Sequence, residues 1–167
     1  MLGNPCPTWL PNMASRRNRS KKRSGGSSGQ RPSLPEDFVL YLDENLHNCK
    51  PILDALVQHG IRHERHGNHF LPGTEDTVWL PAVGKNGWLL LTKDKRIRFN
   101  ELEKSAVQRY RVREFYFASG NYSGSEMAAT LVNALREMAR FCRRYDPPFI
   151  ASISKNGKVS LRFPTNS

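Results

Sequence analysis

The 167-residue sequence predicts an α/β fold: a three-layer α/β/α sandwich with a central, mostly parallel sheet, and a β-hairpin added at the C-terminus. Three features carry that expectation. Short apolar runs alternate with helix-period segments from Phe38 onward, the pattern of strands joined by crossover helices, which should be right-handed. Two of those runs stop at an aspartate, where an open α/β sheet gathers its chemistry. Asn156-Gly157, between two strand-like runs near the end, is the dipeptide of a tight primed hairpin turn.

The elements follow in order. Phe38-Val39-Leu40-Tyr41-Leu42 is continuously apolar, as a strand covered on both faces should be. Over 48–59, Ile52, Leu53, Ala55, Leu56 and Val57 form a helical stripe; Pro51 falls in the first turn, where its missing N–H is harmless, and Gly60 ends the helix. A second strand is expected over 61–66 and a loop over 68–73. Thr74 reads as the N-cap of a helix through Asp76, Val78, Trp79, Leu80 and Ala82 toward Gly84. Gly87 releases the chain into a third strand over 88–91. A polar helix over 100–109 and a fourth strand over 114–118 come next. The longest helix, 123–144, carries Met127, Leu131, Leu135, Met138, Ala139 and Phe141 at helical spacing, and Asp146-Pro147-Pro148 stops it. The hairpin strands are 149–155 and 158–163.

Charge divides the chain. Residues 1–35 hold seven Lys or Arg and no acid, around a Ser24-Gly25-Gly26-Ser27-Ser28-Gly29 stretch, which predicts a disordered basic Ser/Gly/Pro-rich tail. That leaves 19 bases against 15 acids for the domain over 36–167, a charge of +4 out of the total +11. Such a tail favours nucleic acid or an anionic surface and lends affinity without sequence specificity. Cys6, Cys49 and Cys142 are odd in number and widely spaced, which argues against a disulfide framework or a structural zinc site and for a reducing compartment. No apolar run approaches the roughly 20 residues of a membrane span, so no membrane partner is expected, and the N-terminus lacks the apolar core of a secretory signal. The expected location is cytoplasmic.

The candidate site is a set of carboxylates. Asp43 follows the first strand, Asp94 follows the third, and Asp76 opens the helix between them. Oxygen donors collected at strand ends suit Mg²⁺ or Mn²⁺, and several facing acids suit metal-assisted phosphodiester chemistry. Glu44 and Glu101 are auxiliary metal ligands in this reading, with Glu75 a further acid nearby. Lys93, Lys95, Arg96 and Arg98 crowd the segment after the third strand and are candidate contacts for polynucleotide phosphates, and Thr92 and Asn45 are candidate orienting or substrate-binding groups. His59, His63, His66 and His69 lack a partner at zinc-ligand spacing and read as surface or loop histidines; Trp79 and Trp88 read as core anchors.

Leu42-Asp43-Glu44-Asn45, Glu75-Asp76-x-x-Trp79 and Leu91-Thr92-Lys93-Asp94-Lys95 resemble, in that order, the first-strand acid, the helix acid and the strand-end Thr-x-Asp motif of the PIN-domain superfamily. Over 38–163 the chain is most similar to PIN-like toxins of the VapC type. The resemblance implies a Mg²⁺- or Mn²⁺-dependent endoribonuclease acting on RNA, neutralised by a cognate antitoxin, and often a homodimer. Many PIN domains bring a fourth acid beyond the third; no second Asp lies over 95–101, and Glu101 is the nearest candidate. The hairpin is an addition to the minimal pattern. Two rivals remain. One is a non-catalytic RNA-binding or interaction module with the same fold. The other is a receiver-like phosphoacceptor using Asp43, Glu44, Asp94, Ser119 and Lys155, which leaves Asp76 without a role and does not fit a Lys that precedes a hairpin.

Overall fold

In a computed structural model of the chain, residues 34–164 are described, apart from the side chains of Ile97 and Arg98. Apart from Leu34 and Pro35, the tail expected over 1–35 lies outside the described residues, and Leu34 packs against the core. Six strands form one sheet in the order β2-β1-β3-β4-β5-β6: β1 Leu40–Leu42, β2 His63–Arg65, β3 Leu89–Thr92, β4 Arg113–Phe117, β5 Phe149–Ile153 and β6 Val159–Phe163. The first five run parallel to their neighbours, and β6 returns antiparallel to β5 through the Asn156-Gly157 turn. Gly157 sits at φ 84°, the left-handed conformation that such a turn demands.

Alternation along the strands makes the two outer layers. Leu40, Leu42, Leu89, Leu91, Phe115 and Phe117 face α1 (Lys50–Gln58) and α5 (Gly124–Arg144), whose Ile52, Leu56, Leu131 and Met138 complete one core. Tyr41, Leu90, Tyr116 and Ile150 face the other way, toward Trp79, Leu80 and Val83 of α3 (Asp76–Asn86) and Val107 of α4 (Glu101–Arg109). The sandwich is therefore α/β/α with the hairpin on one edge. α5 starts on a capping box, in which Ser123 accepts from the Glu126 N–H while Glu126 accepts from the Ser123 N–H.

Three local expectations are corrected. His66 does not end the second strand; it opens a short helix, α2 (His66–His69), and is buried with Nδ1 2.9 Å from the Tyr41 hydroxyl, so tertiary packing draws inward a ring read as a surface group. The N-cap of α3 is Glu75, not Thr74, whose hydroxyl donates to the Leu71 carbonyl instead. Residues 95–99, left unassigned by periodicity, form a 3-10 turn between β3 and α4. Cys49 and Cys142 are free thiols, and burial pushes Cys142 up to about 11, leaving it unreactive. Among the described residues no helix is long and apolar enough to cross a membrane.

Candidate functional site

The carboxyl ends of β1 and β3, the start of α3 and one face of α4 enclose a cavity of about 150 Å³. Asp43, Glu44, Asn45, Asp76, Thr92 and Asp94 all line it, so the three aspartates placed far apart in the sequence share one crevice. Trp79, Leu80, Leu90 and Val107 form its apolar wall.

Asp43 is the fixed member. Its carboxylate is 6 % exposed and accepts the Leu46 N–H at 3.0 Å and the Thr92 hydroxyl at 2.7 Å. Burial pushes it up to about 6, against the pull of those hydrogen bonds. Thr92 in turn accepts the Asp94 N–H at 3.1 Å. One buried hydroxyl therefore bonds to both strand-end acid residues, a geometry suited to an orienting group. Asp94 accepts the Arg96 N–H at 2.8 Å, and the Arg96 guanidinium lies 3.2 and 3.3 Å from its two oxygens. Burial pushes Asp94 up, but the bonds and charge of Arg96 together hold it below the usual carboxylate range. Asp76, in the first turn of α3, brings its charge to the crevice from a helix N-terminus.

Two further acids belong to the cavity, and sequence reasoning missed both. Glu103 of α4 lines it with Oε2 shielded and unpartnered, and burial, then the charges of Asp76 and Asp94, raise its carboxyl. Glu114 of β4 is 1 % exposed, its Oε1 has no partner, and burial, then the charge of Glu103, holds it well above the ordinary value. The proposed fourth acid, Glu101, lies outside the lining; its exposed side chain pairs with Lys104 at 2.8 Å. Position along the helix explains the exchange. Glu103 is four residues before the buried Val107 and shares its face, whereas Glu101 does not.

Glu44 accepts the Gly73 N–H at 3.0 Å, and Asn45 is exposed on the rim. Lys93, Lys95 and Arg96 are exposed beside the mouth; the Arg98 side chain lies outside the described residues. Lys155, invoked by the receiver-like reading, sits past β5 and pairs with Glu126 at 3.4 Å. Of the histidines, His69 pairs with Glu64 at 2.7 Å.

The donor set is all oxygen, which fits a hard divalent cation and not zinc. Glu103 and Glu114 each keep an unpartnered oxygen. As the side chains stand, no group of three or more His, Cys, Asp or Glu among the described residues converges to hold a metal ion.

Residues 38–119 match the family model described as PIN like domain, a span that runs from the entry of β1 past the end of β4 and includes Asp43, Asp76, Asp94, Glu103 and Glu114. No curated protein and no solved structure matches the chain. That match, and the mostly parallel sheet that carries it, support the PIN-domain superfamily for residues 38–119.

Proposed function

We propose that this protein is a metal-dependent endoribonuclease that hydrolyses RNA phosphodiester bonds. The observation that carries this reading is that Asp43, Asp76, Asp94 and Glu103 line one crevice at the carboxyl ends of parallel strands, in a stretch that matches a PIN-like domain. PIN domains are generally nucleases that use divalent metals. Mg²⁺ or Mn²⁺, when bound, supplies charge neutralisation and water activation for in-line phosphodiester hydrolysis. Asp43, Asp76, Asp94 and Glu103 would hold it, with Glu44 and Glu114 at the margins.

The protein's own part is positioning. Thr92 fixes the directions of Asp43 and Asp94, and Trp79, Leu80 and Val107 keep one wall dry. Lys93, Lys95 and Arg96 would take the phosphates of the RNA strand, Arg96 giving up its bond to Asp94 for one to phosphate. In its finer form the reading makes the protein a VapC-like toxin of a toxin–antitoxin pair acting in the cytoplasm, often as a homodimer. An antitoxin segment would then cover the exposed Val78 and Leu102, which adjoin the cavity residues Trp79 and Glu103.

The test is cleavage of a mixed single-stranded and structured RNA pool with Mg²⁺ or Mn²⁺, comparing wild type, Asp94→Asn and EDTA-treated protein. Cutting that vanishes in the variant and in EDTA supports the nuclease. RNA binding without metal-dependent cutting would favour the non-catalytic module, a reading to which the clasp of Arg96 on Asp94 lends weight.

A further inference from the structure

Beyond β4 the balance of charge changes. Residues 36–123 hold twelve Lys and Arg against twelve Asp and Glu, and residues 124–163 hold seven against three, so the whole +4 of the domain belongs to α5 and the segments after it. On α5 the cations are arginine alone: Arg136, Arg140, Arg143 and Arg144, all exposed. Glu137 is the one acid between the first and the last of them.

One face of the helix carries this charge. Leu131, Leu135 and Met138 mark the side of α5 packed on the sheet. Arg136, Arg140 and Arg143 recur at intervals of four and three on the other side, and Arg144 adjoins them. The same exposed stripe begins with Ser125, Ala129 and Asn133, so it is neutral in its first half and cationic in its second. The hairpin extends it. A Cβ on Gly157 would stand 2.9 Å from the Asn133 carbonyl carbon and oxygen, which seats the turn on α5 just before the first arginine, with the exposed Lys158 next in the chain.

Structural roles account for part of the stripe. Arg143 and Arg144 occupy the last turn, where a cation offsets the helix macrodipole, and the Arg144 guanidinium lies 5.4 Å from the Tyr145 ring centroid. Arg140 pairs with Glu137 at 3.1 Å, an exposed contact of little energetic weight. Arg136 is more than two turns from the helix end, outside the reach of the macrodipole. Neither Arg136, Arg143, Arg144 nor Lys158 forms an ion pair among the described residues.

We propose that this face of α5, continued by Lys158, binds the phosphate backbone of a nucleic-acid strand. Four residues of helix advance about 6 Å, so Arg136 and Arg140 present their guanidinium forks to successive phosphates of one strand. Contacts of this kind hold a strand without reading its bases. The face lies in the helix layer of α1 and α5, across the sheet from α3 and α4, which wall the acid crevice. The inference therefore goes beyond the nuclease reading and does not rest on it.

The experiment uses the full chain in EDTA, which keeps the acids silent, with fluorescein-labelled oligouridylate and the matching thymidine DNA read by anisotropy over a range of salt. Arg136→Gln, Arg140→Gln and Arg143→Gln together remove three exposed cations and retain good helix formers, and a cooperative melt checks the fold. The charge-matched control, Lys85→Gln, Arg109→Gln and Arg111→Gln, removes three exposed cations from α3, α4 and the turn after α4. The arginine-face variant should bind oligouridylate roughly tenfold more weakly or worse, with the logarithmic salt slope reduced by about 2, the value for three lost single-strand phosphate contacts. The control should stay near wild type. Arg136→Gln alone, expected to lower the slope by about 0.7, keeps the test open if the triple variant loses its melt. Equal weakening of RNA and DNA supports a backbone contact alone, and weakening confined to RNA supports the site and assigns RNA as its strand. Wild-type binding by the arginine-face variants, or an equal loss in the control, overturns the proposal. Lost sedimentation with phosphatidylglycerol vesicles alongside wild-type oligouridylate binding overturns it in favour of an anionic lipid surface.

Discussion

Thr92 donates its hydroxyl to the Asp43 carboxylate and accepts the Asp94 N–H, so a single buried side chain ties together the two strand-end acid positions. Thr92→Val keeps the shape and leaves a buried carboxylate oxygen unbonded, which should cost about 1–3 kcal/mol in urea denaturation. The same variant should bind Mn²⁺ more weakly, and Thr92→Ser should recover most of both losses; unchanged Mn²⁺ binding by the valine variant would refute the positioning role. Asp43 adds a pH dependence. Its folded-state carboxyl stands at about 6 against an ordinary 3.8, so its contribution is fully present below pH 3.8 and is lost as pH rises through 6. The shift corresponds to about 3 kcal/mol against the metal-free fold at neutral pH. Asp43→Asn in EDTA should therefore melt above wild type at pH 7.5, with the gap closing toward pH 4, and in Mg²⁺ or Mn²⁺ it should lose RNA cleavage. A variant that melts below wild type at pH 7.5 would show that burial of this charge is not what strains the site. Asp43, Asp76 and Asp94 were legible in the sequence because a strand end or helix start exposes them to pattern. Glu114 was not, because an acid inside Arg113-Glu114-Phe115-Tyr116-Phe117 reads as the polar member of an alternating strand until α4 is seen covering that face.

At the scale of elements, α3 and α4 determine whether the strand-end acids acquire partners, since α3 carries Asp76 and α4 carries Glu103. Their mutual fit depends on Gly84, whose missing side chain lets α3 lie against the Tyr110 carbonyl. Gly84→Ala must separate the two, and overpacking of this kind typically costs 1–3 kcal/mol or somewhat more. The expected result is a lower urea midpoint together with weaker Mn²⁺ binding, whereas Ser123→Ala, which removes the cap of α5 on the far face, should lower stability by about 1 kcal/mol and leave Mn²⁺ binding alone. Equal Mn²⁺ affinity in both variants would mean that the crevice tolerates movement of α3. The periodic helices α1 and α5 were readable because their apolar spacing repeats along the helix, and the hairpin because Asn156-Gly157 marks its turn. The α2 turn was not, since His66 opens it while its ring lies beside Tyr41, 25 residues earlier.

For the whole molecule, charge is uneven along the chain. Seven of the 26 Lys and Arg lie in residues 1–35, whose acid count is zero. That segment is thus a concentrated source of polyanion attraction. A chain shortened to 34–167 should keep its cooperative melt and its metal-dependent cleavage. Its affinity for a long single-stranded RNA should fall steeply at low salt, with the logarithmic salt slope reduced by up to about 5 if all seven cations meet phosphates. Because that term is insensitive to base identity, the cleavage pattern should not change even as the affinity does. A shortened chain that cuts at different positions would assign sequence discrimination to the first 33 residues. One that fails to melt cooperatively would show that they contribute to the core as well as to the charge.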